Sequence, residues 1–175
     1  MHEVSGSLNP YNYKSTNQGY QFITADCSIY LLYFTEASDY FPSYIDINAF
    51  IVSHGFEKIR DSSLETDLPK ADPRIRDTIF SILNAALEND PRFCFMSICS
   101  TSDGKHRFRN KLFATWYAEI GNMFELNFNK IDNRICGNDG DCSYLSILIH
   151  KQCPHGQKVR DSFLDLENEL IRKGY

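Results

Sequence analysis

The chain has 175 residues, of which 42% are hydrophobic and 23% charged, enough for one domain whose core needs no staples. Eighteen basic residues stand against 23 acidic ones, a net charge of -5. That excludes a generic binder of nucleic acid or anionic membrane, because such binding is driven by clustered Lys and Arg.

No apolar run reaches the length of a membrane span, and no basic flank precedes an apolar stretch near Met1. The expected location is the cytoplasm. Aromatic residues make up 14%, and aromatics favour strands, so a substantial sheet is expected.

In chain order, residues 1–19 are polar and aperiodic and read as an N-terminal arm, with Pro10-Tyr11-Asn12-Tyr13 able to dock its rings on the core edge. Residues 20–175 read as a single domain. Residues 20–24 and 28–34 form a predicted hairpin, with Asp26 supplying backbone bonds in its turn. Residues 45–59 carry alternating apolar positions and read as a third strand, with a bulge near Gly55. Asp72-Pro73 opens a helix, since Asp caps well and Pro at the first helical position loses no needed N–H. Ile75, Ile79, Ile82, Leu83 and Ala86 form its apolar stripe, and Asn89-Asp90-Pro91 ends it.

Residues 93–99 contain no charge and read as an interior strand. A polar turn follows, and then a helix over 105–120 with Phe108, Leu112, Phe113, Trp116 and Ile120 on one side and a stop at Gly121-Asn122. Residues 124–129 alternate as a half-exposed strand. Gly137-Asn138-Asp139-Gly140-Asp141 is a hairpin turn, residues 144–149 return, and Val159, Phe163, Leu166 and Leu170 line a last helix. Hairpins at both ends with helices between them indicate an α+β fold: a mostly antiparallel sheet of about six strands, with three helices packed chiefly on one face.

One polar constellation stands out: Asp103, Lys105, His106, Arg107 and Arg109, where the interior strand gives way to a helix N-terminus. Free backbone N–H groups and the positive dipole end favour an anion there. Basic residues in a first turn oppose the dipole, and that local cost points to a phosphate or carboxylate ligand. At about 100° per residue, Arg109 falls within the apolar arc of its helix and Arg107 outside it. An inward guanidinium needs a ligand or a protein acid, and Asp103, Asp72 and Asp77 are the acids expected to serve. The same arrangement also suits a purely structural ion pair.

A second group, Cys136, Cys142, His150, Cys153 and His155, has the chemistry of zinc ligands but not a zinc knuckle's spacing. Free thiols, or a Cys136–Cys142 disulfide across the hairpin, explain it as well. No metal is assigned on that basis. Asp132 with Asp139-Gly140-Asp141 is an acidic cluster lacking the oxygen ladder of a calcium loop.

The segments Pro10-Tyr11-Asn12-Tyr13, Gly19-Tyr20-Gln21-Phe22-Ile23-Thr24, Asp72-Pro73-Arg74-Ile75 with Thr78-Ile79, and Asp103 through Arg109 with Phe113, Trp116 and Tyr117 together resemble a small bacterial protein family known only as a domain of unknown function. The resemblance implies an intracellular, stand-alone α+β domain. It implies no activity, cofactor or partner, and the cysteines of the C-terminal hairpin are not part of it.

No catalytic residue is assigned, because no second His or conventional nucleophile lies at a diagnostic spacing. The first reading is therefore a non-enzymatic protein-binding module, immunity-like or regulatory, whose acidic surface suits a basic partner. The alternative is a binder or enzyme acting on a small phosphate- or carboxylate-bearing ligand at the helix that starts near Lys105. No cofactor, membrane or nucleic acid is expected as a partner.

Overall fold

The computed structural model describes residues 8–61, 72–99, 104–137 and 142–172. The strands are β1 (Tyr13–Thr16), β2 (Gly19–Ile23), β3 (Ile29–Glu36), β4 (Ile51–Arg60), β5 (Cys94–Cys99), β6 (Phe128–Cys136) and β7 (Cys142–His150). The helices are α1 (Ile45–Asn48), α2 (Pro73–Asn89), α3 (His106–Met123), α4 (Gly156–Leu164) and α5 (Leu166–Arg172). The strands form a seven-stranded sheet in the order β1-β2-β3-β4-β5-β7-β6. Every neighbouring pair is antiparallel except β4 and β5, which run parallel and are joined through α2. The class is α+β, with one strand more than the sequence suggested.

Alternation along β5 explains why the sheet needs two covers. Phe95 joins a core with Ile79, Ile82, Leu83 and Leu87 of α2 and Ile120 of α3. Its neighbours Cys94 and Met96 join a second core with Ile47 of α1, Val159 and Phe163 of α4 and Leu166 of α5. Successive strand side chains point to opposite faces, so a strand with apolar residues on both faces requires helices on both sides. Thus α2 and α3 share one face as expected, while the C-terminal helices lie on the other. Each fully buried Leu or Ile in these cores contributes roughly 1.5–3 kcal/mol.

Several boundaries differ from the sequence reading. Residues 45–48 are a helical turn, because the Tyr44 carbonyl accepts from both Ile47 N and Asn48 N. The bulge in β4 falls at Ile59, where Ile29 pairs with Arg60 but Tyr30 with Lys58. Helix α3 runs through Gly121 and Asn122 to Met123, closed by Phe124 N bonding to Ile120 O. The sixth strand starts at Phe128, leaving 124–127 outside it. The predicted turn residues 138–141 lie outside the described residues.

The segment from Leu8 onward docks on α2. Asn9 N donates to Asp77 at 3.0 Å, and Tyr11 N donates to Thr78 Oγ1 at 2.8 Å. The Tyr11 hydroxyl donates to Asp72 at 2.6 Å and accepts from Ala25 N at 3.0 Å, while the Arg74 guanidinium lies 3.8 Å from the Tyr11 ring centre. Asp72 also caps α2, accepting from Arg74 N at 2.9 Å. Asp77 further takes the Arg76 guanidinium at 2.7 Å, and Arg76 reaches across to Glu119 of α3 at 2.6 Å. This chain of contacts fixes α2 beside α3 over the sheet.

Candidate functional site

The two parallel strands diverge. β4 and β5 pair only at Ile51–Cys94, Val52–Phe95 and Ser53–Met96. Beyond these pairs a cavity of about 120 Å³ opens, bordered by His54, Gly55 and Phe56 of β4 and by Ser97 and Ile98 of β5. Crevices at the carboxyl ends of parallel strands are the usual ligand position in open sheets. Helix α2 roofs this cavity with Ile79, Phe80 and Leu83, and α3 with Arg109, Phe113, Trp116 and Tyr117. Phe56 packs on Phe113 and Trp116, with ring centres 5.6 and 6.0 Å apart, and closes one wall with aromatic surface.

A polar band crosses the floor. Ser97 of β5 is in register with Ser146 of β7, which is in register with Asp132 of β6. The Ser146 hydroxyl donates to Asp132 at 2.7 Å. Lys130, two residues before Asp132 and therefore on the same face, pairs with that carboxylate and has a side chain only 8% exposed. Its ammonium also lies 5.9 Å from the Tyr117 ring centre, and its backbone N donates to the Tyr117 hydroxyl at 3.1 Å. His54 lies at the opposite side, with its ring 6.2 Å from that of Phe95 and no partner for Nδ1 among the described residues. Burial holds the His54 imidazole down to about 4, so it is neutral at pH 7.

Arg109 is half-buried and lines the cavity. Its charge and that of Lys130 both bear on the Cys99 thiol, which burial pushes up and the two cations pull back. Arg109 and Lys130 are the two cations in the lining of a chamber walled mainly by apolar side chains. The inner stripe of α3 is His106, Arg109, Phe113, Trp116, Tyr117 and Ile120, and Phe108 is 67% exposed. Phe108 sits about 120° round the helix from Ile120, so it does not belong to the apolar arc in which the sequence reading placed it.

The other described members of the first constellation do not line this cavity. His106 is buried against Tyr144, ring centres 5.9 Å apart, and neither ring nitrogen has a hydrogen-bond partner among the described residues. Lys105 and Arg107 are exposed and lie outside the cavity lining. Asp103 lies outside the described residues. Asp72 and Asp77, expected as acids for Arg109, serve Tyr11 and the α2 cap in one case and Arg76 and Asn9 in the other.

The second constellation does not converge. Cys136 and Cys142, paired in register across the β6–β7 hairpin, form a disulfide with each other, and while it stands neither can serve as a metal ligand. His150 is buried, its Nδ1 accepting from Gln152 N at 3.1 Å, and His155 stacks on Phe50 with ring centres 5.2 Å apart. Cys153 instead lies beside Cys94. Among the described residues no group of three or more His, Cys, Asp and Glu is placed to hold a metal ion.

Residues 71–165 match a family profile described as a family of unknown function, DUF6169, and this match spans more than half of the chain. The chain belongs to DUF6169. The matched segment carries α2, β5, α3, β6, β7 and α4. It therefore supplies Arg109, Lys130, Ser97 and Ser146 to the cavity, while His54, Gly55 and Phe56 come from outside it. No curated protein and no solved structure matches the chain. Among the described residues no helix is long and apolar enough to cross a membrane.

His54, Lys130, Ser97 and Ser146 escaped the sequence reading. The signal available for the two serines was a hydroxyl flanked by apolar residues within each of two strands, Phe-Met-Ser-Ile and Leu-Ser-Ile-Leu. Only the register shows that they face one another.

Proposed function

We propose that this domain binds a small molecule made of a compact apolar body and one carboxylate or phosphate group. The observation that carries this reading is the cavity between β4 and β5, apolar over most of its wall, with two cations, Arg109 and Lys130, in its lining. Its volume, about 120 Å³, is on the scale of apolar cavities of about 150 Å³ that accept a benzene ring. The apolar body packs among Ile79, Leu83, Phe113 and Trp116. The anionic group meets Arg109, whose planar fork matches a carboxylate or phosphate, with the Ser97 hydroxyl and the Lys130 ammonium beside it.

Binding fits better than acid–base catalysis. A catalytic imidazole works best with a pKa near the operating pH, and His54 is held far below neutrality. Recognition of a basic protein partner rests on the net charge of -5 alone and assigns no residue. A cytoplasmic setting belongs to the proposal; there the Cys136–Cys142 bond would be reduced.

Trp116 is the chain's single tryptophan and lines the cavity, so its emission reports occupancy. Titration with benzoate and with phenyl phosphate should give a saturable change in fluorescence. Arg109→Met should keep the circular dichroism spectrum and abolish the change. No saturable response up to about 10 mM, the regime of affinities weaker than about -3 kcal/mol, or an equal response in the folded variant, overturns the reading.

A further inference from the structure

On the sheet face opposite the cavity, two free cysteines meet. Cys94 opens β5 and is fully buried, whereas Cys153 lies in the turn between β7 and α4 and is half-buried. Their sulfur atoms are 3.9 Å apart. The fold makes this meeting. Cys94 pairs with Ile149 near the end of β7. The chain then reverses, with Cys153 N bonding to His150 O at 2.9 Å and Gly156 N to Cys153 O at 3.1 Å, which returns the turn to the strand it has just left. Both thiols face one acceptor, the Arg92 carbonyl, at 4.0 Å from Cys94 and 3.7 Å from Cys153. Two donors share a single weak partner, so neither thiol is locked in place by a good hydrogen bond.

We propose that Cys94 and Cys153 are a thiol pair oxidised by hydroperoxides, with Cys153 reacting first and Cys94 resolving it into a disulfide between β5 and the β7–α4 turn. The assignment of roles follows from access and chemistry. The oxidant reaches Cys153 from solvent, while Cys94 is sealed in the core, where burial keeps its thiol protonated. The Cys153 thiolate attacks one oxygen of the hydroperoxide and the O–O bond breaks. The departing oxygen takes a proton and leaves as water or an alcohol, and Cys153 is a sulfenic acid. The Cys94 sulfur then attacks the Cys153 sulfur, the S–O bond breaks, and water leaves with the Cys94 proton. Two thiols have lost two electrons, and the hydroperoxide has gained them. Closing the sulfurs from 3.9 Å to a bond of about 2.0 Å needs movement of the turn, not of the central strand. The reaction is independent of the cavity, which lies on the other face.

The test is treatment of the full chain with hydrogen peroxide, then alkylation in denaturant, digestion without reduction and mass spectrometry. The expected product is a peptide joining Cys94 to Cys153, lighter by two hydrogens than the two free peptides and split by dithiothreitol. In Cys153→Ser, Cys94 should remain fully alkylatable after the same exposure. Three results overturn the proposal: Cys153 accumulating as sulfinic acid with Cys94 free, both thiols unmodified, or either sulfur linked to Cys27, Cys99, Cys136 or Cys142 instead.

Discussion

Ser146 of β7 donates a 2.7 Å hydrogen bond to Asp132, its register partner on β6. The same carboxylate holds the Lys130 ammonium, so on the proposed reading Asp132 competes with the bound anion for that cation. Its side chain is 59% exposed, which keeps this competition weak. Asp132→Asn should therefore tighten benzoate by only a few-fold, and Lys130→Met should weaken it by a similar factor or more. Trp116 fluorescence titration measures both. Unchanged affinity in the two variants would separate Lys130 from the site.

His54 gives the domain a pH signature. Its imidazole is held at about 4 by burial, against about 6.5 in an unfolded chain. Between those values the unfolded chain takes up a proton that the folded chain refuses. Stability is therefore full above about pH 6.5 and falls as pH drops toward 4, by roughly 2–3 kcal/mol for this group. Urea midpoints measured from pH 7.5 to 4.5 should show the fall in the native chain and a shallower one in His54→Gln. An identical slope in that variant would assign the effect to other groups.

Gly55 carries the ring of Tyr33 over its backbone. A methyl at Gly55 would sit 2.6 Å from Tyr33 Cζ, inside contact distance. Gly55→Ala should cost about 1–3 kcal/mol as overpacking. In a Tyr33→Ala background the same change should cost well under 1 kcal/mol, a coupling that a double-mutant cycle in urea reads directly. A small cost in the native background would mean the ring simply swings away, and a full cost in both backgrounds would assign it to another contact.

Tyr11 and Asp72 tie the N-terminal segment to the start of α2. Tyr11→Phe deletes a bond to a carboxylate and leaves Ala25 N unserved, at about 1.5–3 kcal/mol. Asp72→Ala removes that bond together with the helix cap, the cap alone contributing about 1 kcal/mol. Limited proteolysis should then cut near residues 8–12 faster than in the native chain. Equal cutting rates would show that Thr78 and Asp77 hold the segment unaided.

Where local chemistry decided an element, the sequence was enough. Asp72-Pro73 starts α2 and Asn89-Asp90-Pro91 ends it, because capping and proline act within a few residues. The hairpin turn at Asp26 formed as read, its carboxylate accepting from Ser28 N at 3.2 Å. Other features depended on distant partners. Gly121 stays helical because α3 continues past it to close on Phe124, and tertiary packing overrides propensity there. The phase of α3 was misjudged because Phe108 is apolar and yet outside the packed arc. Arg109 was visible as an oddity on its helix, whereas Lys130, Ser97 and Ser146 became neighbours only through strand register.

The short pairing of β4 with β5 has a mechanical meaning. Three rungs join a four-stranded half of the sheet to a three-stranded half, and past them the facing edges have no ladder between them. Among the described residues that line has the fewest rungs of any neighbouring strand pair. A guest lodged between His54 and Ser97 acts as a rivet across it, so occupancy should register as slower amide exchange along both edges at once.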